Sequence, residues 1–210
     1  MTGLKIEDVV IALNGRELLR LSAQIAPGEI LSVMGSSGSG KSSLLAYVGG
    51  FLDANFQASG KILLNGEQLN NQPAHRRHTG ILFQDPLLFP HMSVGENLLF
   101  ALPAAVTGAS RRQLAEDSLE QAGLEGFFDR DPATLSGGQK ARVALMRVLV
   151  SQPRALLLDE PFSKLDAGRR DQIRRFVFEE AKRQNLPILL VTHDQADANA
   201  AGGKIVDLDQ

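Results

Sequence analysis

An α/β fold around a mostly parallel sheet follows from three features of this 210-residue chain. Short, predominantly apolar runs at Ile30–Met34, Ala155–Leu158 and Ile188–Val191 have the length and composition of strands buried on both faces. Helical stretches alternate with such runs, so a sheet covered on both sides is expected. From Ser93 to Val150 the pattern turns to helical periodicity, which reads as a helical insertion into that core.

Taken in order, Leu4–Leu13 and Leu18–Ile25 alternate and carry β-branched residues, so both read as strands. The turn Ala26-Pro27-Gly28-Glu29 leads into Ile30–Met34. A glycine-rich loop follows, then a helix from Lys41 to about Gly49. Lys61–Leu64 and Thr79–Phe83 read as further strands, the first ending at the turn Asn65-Gly66. In the helical block, Leu114, Leu119 and Ala122 mark one apolar face of a segment beginning near Ser110, and another helix covers Lys140–Val150. An amphipathic helix over Ala167–Arg183 separates the last two buried strands, and Lys204–Leu208 is strand-like.

The bulk numbers narrow the function. The length suits one sizeable domain with its own core. At 43% hydrophobic and 22% charged, with a net charge of −2, the chain offers no electrostatic case for nucleic acid or anionic lipid as a bulk partner. The absence of cysteine excludes disulfides, thiolate metal sites and cysteine nucleophiles, and fits a reducing compartment. Residues Met1–Asp8 carry no signal-peptide core, and the apolar runs fall far short of the ~20 residues that cross a bilayer. If the protein serves a membrane, it does so from outside the lipid. No internal repeat is present.

Gly35-Ser36-Ser37-Gly38-Ser39-Gly40-Lys41-Ser42 fits G-x-x-x-x-G-K-[ST] between a strand and a helix. Glycines let such a loop fold into a nest whose N–H groups point at phosphate oxygens, and the helix N-terminus adds partial positive charge. Lys41 is expected on the β- and γ-phosphates and the Ser42 hydroxyl on Mg²⁺, with Ser43 completing the cradle. The rival reading is a Gly/Ser linker that happens to contain Lys.

Asp159 and Glu160 end the strand Ala155–Leu158, and ligands of a parallel sheet gather at the carboxyl ends of its strands. Asp159 suits Mg²⁺ as an oxygen ligand, and Glu160 suits a water-orienting base. The rival is a capping pair where the strand exits.

Leu135-Ser136-Gly137-Gly138-Gln139 forms a second glycine cluster just ahead of a helix, hence a second anion site. One triphosphate needs only one such cradle per subunit. The economical explanation is that Ser136, Gly137, Gly138 and Gln139 cap the γ-phosphate held by another copy, giving a homodimer with nucleotide at its interface.

Together with Gln84, Ser163-Lys164-Leu165-Asp166 and His193, these motifs occur in the order seen in ATP-binding-cassette (ABC) ATPases, and the chain resembles that family over essentially its whole length. The resemblance implies a P-loop NTPase (RecA-like) core with an N-terminal antiparallel β subdomain and an inserted α-helical subdomain. Residues 1–84 and 151–210 would form the core with its β subdomain. Residues from about 85 to 150 would form the helical subdomain carrying the signature motif, all within one ABC ATPase domain. It also implies ATP hydrolysis, Gln84 as a sensor of γ-phosphate and Mg²⁺, His193 on the γ-phosphate, and Asp166 at the dimer interface.

Within the family, Asp159-Glu160-Pro161-Phe162-Ser163, the segment Gln84–Val94 and Thr192-His193-Asp194-Gln195 resemble importer subunits. That implies transmembrane permease partners, an extracytoplasmic solute-binding protein acting indirectly, and a peripheral place on the cytoplasmic face of the inner membrane. Apolar residues over Leu87–Met92 would either receive a short permease helix or form a satellite core. The chain stops at Gln210, so the appended regulatory domain of many importers is expected to be absent, a form similar to thiamine-type subunits. The alternative is a soluble ABC ATPase in a non-transport role such as iron–sulfur assembly. A small-molecule kinase would leave Leu135–Gln139 without a purpose.

Two departures bear on these expectations. The family stacks adenine on an aromatic near position 13, where this chain has Leu13, and no aromatic occurs in residues 1–46. Stacking is worth ~1–3 kcal/mol, so relaxed base selectivity, with GTP tolerated, is expected. Lys164 stands where alanine is common and reads as a tolerated surface change, the alternative being a contact across the dimer. The clusters Arg76-Arg77-His78, Arg169-Arg170 and Arg174-Arg175 read as solvated faces, while Tyr47 reads as a core or interface residue.

Overall fold

The chain's computed structural model describes residues 3–165 and 167–209, without the side chains of 167–169. Asp166, expected at a dimer interface, lies outside the described residues. In order, the elements begin with strands β1 (Leu4–Leu13), β2 (Arg16–Ile25) and β3 (Ile30–Met34), then helix α1 (Lys41–Gly49). Strands β4 (Phe56–Leu64), β5 (Glu67–Gln68) and β6 (Thr79–Leu82) precede helices α2 (Val94–Ala101), α3 (Ala109–Gln121) and α4 (Gly137–Val150). The chain continues through β7 (Ala155–Asp159), α5 (Ala167–Arg183), β8 (Ile188–Val191), α6 (Gln195–Ala201) and β9 (Lys204–Asp207).

Two sheets result. One runs β2-β1-β4-β5 with antiparallel pairs, the other β6-β7-β8-β3-β9 with parallel pairing of β7 to β8, β8 to β3 and β3 to β9. This is the α/β, P-loop NTPase-type architecture expected from the sequence. All five residues of β3 and all four of β8 are buried, which is why these runs do not alternate.

β1 does alternate, but its buried set is Leu4, Ile6, Val9 and Ile11, so the period slips by one residue. A bulge at that point, with Asp8 at φ 47°, takes up the extra residue and returns Val9 and Ile11 to the core face. The Asp8 N–H donates to Ser22 Oγ, whose hydroxyl donates back to Asp8 Oδ1, both at 2.9 Å.

The chain divides into two compact units. The first comprises Met1–Ile81, Arg154–Glu160 and Phe178–Gln210; the second comprises Leu82–Pro153 and Pro161–Val177. In the first unit, Leu31, Val33, Leu44, Leu45, Val48, Leu157, Leu189 and Val191 share one buried cluster with the apolar faces of β1, β2 and β4. In the second, α2, α3 and α4 pack on one another. Among the described residues, no helix is long and apolar enough to cross a membrane.

Several local expectations need correction. β4 begins at Phe56 rather than Lys61, because Phe56–Ser59 pair with β1 while the polar and small side chains Gln57, Ala58 and Ser59 are exposed and leave no apolar pattern. Leu114 is exposed; five residues from Leu119 is about 140° around a helix, and the buried face is Ala115, Ser118, Leu119 and Ala122. α4 starts at Gly137 rather than Lys140, because a Ser136–Gln139 capping box opens it there.

Two arginines read as solvated are buried. Arg174, 7% exposed, pairs with Asp171 at 3.0 Å. Arg77, 6% exposed, donates to the carbonyls of Tyr47 (2.7 Å), Val48 (3.0 Å), Gln72 (2.9 Å) and Asn70 (3.3 Å). Two of these acceptors end α1, where helical carbonyls lack intrahelical partners, so a guanidinium fork is well matched to the place. Burial lowers the Arg77 pKa against the opposing influence of Tyr47. Tyr47 itself packs in the first unit, its hydroxyl donating to Gly60 O at 3.1 Å and accepting from Asn70 Nδ2 at 2.6 Å. Burial raises its pKa, while the Asn70 hydrogen bond and the Arg77 charge work the other way.

Candidate functional site

The glycine-rich loop joins the buried strand β3 to α1. Gly40 takes φ 88° as the N-terminal cap of α1, and a Cβ there would lie 2.9 Å from Leu19 Cδ2, so both backbone and space require glycine. No side chain caps α1. Among the described residues, no acceptor is found for the N–H groups of Ser37, Gly38, Gly40, Lys41, Ser42 and Ser43. Six free donors beside a helix N-terminus make a strong anion cradle.

Lys41, 6% exposed, folds its ammonium over the same loop, donating to the carbonyls of Gly35 and Ser36, both at 2.7 Å. Two loop amides are already engaged: the Ser39 N–H donates to Ser36 O at 3.2 Å, and the Ser36 N–H leaves the loop altogether. It turns to Asp209 Oδ2 at 2.6 Å, a partner that no sequence motif marks.

The acids at the end of β7 stand beside α1. The Ser42 hydroxyl donates to Asp159 Oδ1 at 3.0 Å. Burial pushes the Asp159 carboxyl above the usual carboxylate range; the Ser42 hydrogen bond and Lys41 oppose this, while Glu160 adds to it. Because the folded pKa exceeds the unfolded one, the native state holds extra protons between the two values. Stability therefore falls as pH rises through that window, and at pH 7 the full cost of the charge is present. Asp159→Asn keeps an oxygen for Ser42 without that charge. It is expected to raise Tm above the parent at pH 7, with the difference vanishing in acid; a lower Tm at pH 7 would contradict this account of the site.

Glu160 occupies the left-handed region at φ 44°, a costly place for a non-glycine residue and a common one in active sites. Its N–H is fixed on Val191 O at 3.0 Å, and its Oε1 lies 2.9 Å from His193 Nδ1. Thus Lys41, Ser42, Asp159, Glu160 and His193 belong to one unit, with Ser42–Asp159 and Glu160–His193 in direct contact. Leu13 lies half-buried at the end of β1.

The second unit carries the other predicted residues. The Ser136 Oγ accepts from Gln139 N–H (3.3 Å), and the Ser136 N–H donates to Gln139 Oε1 (2.9 Å). The N–H groups of Gly137 and Gly138 find no acceptor among the described residues, which leaves the first turn of α4 open to an anion. Gln84 lines a cavity of about 190 Å³ with Phe83, Pro86, Gly137 and Lys140. Lys164 is not a bare surface change: its ammonium reaches Asp85 at 2.5 Å, although both groups are exposed and the pair is worth little.

The segment after Gln84 is shaped by two residues that carry no motif. Buried Asn97 bonds the N–H and the carbonyl of Phe89 as well as the Met92 carbonyl, and Arg147 donates to the carbonyls of Pro86 and Leu87. Phe100, 65% exposed, meets Phe89 edge-on at 5.0 Å between ring centres, and Leu87 is exposed beside the clamped loop.

A family model described as ABC transporter matches residues 18–163. The chain is 48% identical over 197 residues to the uncharacterized ABC transporter ATP-binding protein YnjD of Escherichia coli (strain K12), covering 94% of this chain and 90% of that protein. It is 38% identical to the spermidine/putrescine import ATP-binding protein PotA of Bacillus anthracis and 41% identical to the Fe(3+) ions import ATP-binding protein FbpC of Agrobacterium fabrum (strain C58 / ATCC 33970), each over 89% of this chain. It spans a little over half the length of those two relatives, 56% and 52%. With the phosphate-loop geometry above, these likenesses make the chain a member of the ABC transporter family, an ATP-binding subunit with ATPase activity.

Proposed function

We propose that this chain is the ATP-hydrolysing subunit of an importer, that two copies of it close on ATP, and that the pair drives a transmembrane permease. The observation that carries the reading is the presence of two open helix N-termini in one chain, one at Gly40–Ser43 and one at Ser136–Gly138. A single triphosphate is fully served by the first, so the second is assigned to the γ-phosphate of a partner copy.

The loop amides from Ser37 to Ser43 and the Lys41 ammonium would hold the phosphates. Ser42 and Asp159 present two converging oxygens, a set that fits Mg²⁺, which characteristically takes one or two protein oxygens and completes its shell with phosphates and water. When bound there, Mg²⁺ would neutralise phosphate charge. Glu160 would orient the attacking water and take its proton, with His193 fixing the carboxylate and facing the γ-phosphate. Gln84 is assigned to γ-phosphate sensing because it leaves β6 at the start of the helical subdomain, and Asp166 is assigned to the dimer interface; both rest on the family likeness. Residues 1–84 and 151–210 serve as the core in this reading, and about 85–150 as the helical subdomain.

Import is supported by the names of PotA and FbpC and by the Pro161-Phe162 pair. Leu87 and Phe100 are exposed and Phe89, edge-on to Phe100, is half-buried, which leaves apolar surface after Gln84 suited to a short permease helix. The proposal extends to a small-solute cargo, a solute-binding protein acting beyond the permease, and a peripheral position on the cytoplasmic membrane face. Purification from detergent extracts tests it: a multi-span permease should accompany the chain and be lost with Phe100→Asp. An active ATPase that comes down alone would contradict the importer reading and favour a soluble role such as iron–sulfur assembly.

A further inference from the structure

We propose that Asp209 is a positioning residue of the phosphate loop and through it sets the affinity for nucleotide. Its carboxylate grips Ser36 twice: Oδ2 accepts the Ser36 N–H at 2.6 Å, and Oδ1 accepts the Ser36 hydroxyl at 3.1 Å. The carboxylate arrives on a fixed segment. The Leu208 N–H donates to Met34 O at 2.9 Å, extending the pairing of β9 with β3, and the Asp209 N–H donates to Asp207 Oδ1 at 3.1 Å.

Ser36 is held on its other side as well. Its carbonyl accepts from the Lys41 ammonium at 2.7 Å and from the Ser39 N–H at 3.2 Å. One peptide unit at the entry of the loop is therefore tied through its N–H and hydroxyl to the segment after β9, and through its carbonyl to the residue that would reach the phosphates. Loosening the first tie frees the frame against which Lys41 and the Ser37–Ser43 amides are set, so the cost falls on binding rather than on chemistry.

A carboxylate near a triphosphate site also repels it, which pulls in the opposite sense. That repulsion acts between solvent-exposed charges and is screened by salt. The two bonds to Ser36 are charge-assisted and act at contact. Ordering of the loop is thus the larger effect.

The inference rests on the proposed role of residues 35–43 in nucleotide binding. The test measures Mg-ATP dissociation constants by calorimetry, together with steady-state hydrolysis, for the parent, Asp209→Ala and Asp209→Asn. Asp209→Ala should raise Kd and KM about tenfold, the equivalent of about 1.4 kcal/mol, with kcat within about twofold and Tm essentially unchanged. Asp209→Asn keeps an oxygen for the Ser36 N–H and should recover most of the loss. An Ala variant that binds like the parent, binds more tightly, or loses kcat at constant KM overturns the inference while the nucleotide site stands. A parent that binds no nucleotide brings down the site reading, and this inference with it.

Discussion

Glu160→Gln should lower kcat for ATP hydrolysis by about 10²- to 10⁴-fold, the range typical of losing a general base, while Mg-ATP still binds. The substitution keeps the shape of the side chain and an oxygen within reach of His193, 2.9 Å away in the native contact. What it removes is the charge that orients and deprotonates water. It also removes one negative charge from the neighbourhood of a triphosphate, so affinity has no reason to fall. Slow hydrolysis with retained binding should trap the paired state, seen as an ATP-dependent doubling of mass in size-exclusion chromatography. Unchanged turnover would refute the assignment of Glu160. The left-handed backbone of this residue sharpens the point, because Gln and Glu are equally strained there and folding cannot explain a difference between them.

Arg77→Ala should be the most damaging substitution outside the site. It removes one buried guanidinium and takes a donor from four carbonyls at once, two of them at the end of α1, of which Tyr47 O keeps only the Gly50 N–H at 3.3 Å. Losses of this kind run to ~3–5 kcal/mol. For a chain of this size, that corresponds to a Tm roughly 10 °C lower. Thermal unfolding followed by circular dichroism reads it directly. Arg77→Lys keeps the charge but not the fork and should fall between the two. A drop of less than ~2 °C for the alanine variant would show that the carbonyls are satisfied in some other way. Because α1 begins at Lys41 and ends under Arg77, residual fold should also show weakened nucleotide affinity.

The parts of the molecule legible in the sequence are those whose cause is local. The strand-loop-helix run from Ile30 to Gly49 is written in its own residues: a buried strand, glycines where the backbone turns left-handed, and a helix that needs no cap because its N-terminus is kept open. The same holds for β7 and β8, whose burial on both faces removes alternation, and for α5. What escaped had distant causes. Arg77 sits in a charged triplet that looks solvated, and only the arrival of the α1 carbonyls makes its place a buried one. Asp209 meets Ser36 across 173 residues of sequence. Leu114 leaves the buried face for a geometric reason, since a five-residue step does not stay on one helical face. Lys164 and Asp85 pair between two segments that no motif links. In the site itself, the residue types were legible, whereas the contacts Ser42–Asp159 and Glu160–His193 required the sheet order that sets β7 beside β8.

The proposed site is shared by two copies, with the open Gly137 and Gly138 amides of one facing the triphosphate of the other. The chain has no cysteine, so a single pair can be introduced cleanly. Ser37→Cys and Gly137→Cys, both at exposed positions, can be combined with Glu160→Gln and treated with mild oxidant. A covalent dimer that forms with Mg-ATP and not without it is the predicted result. Monomer alone in the presence of bound ATP, or the same crosslink with and without nucleotide, would contradict the shared site.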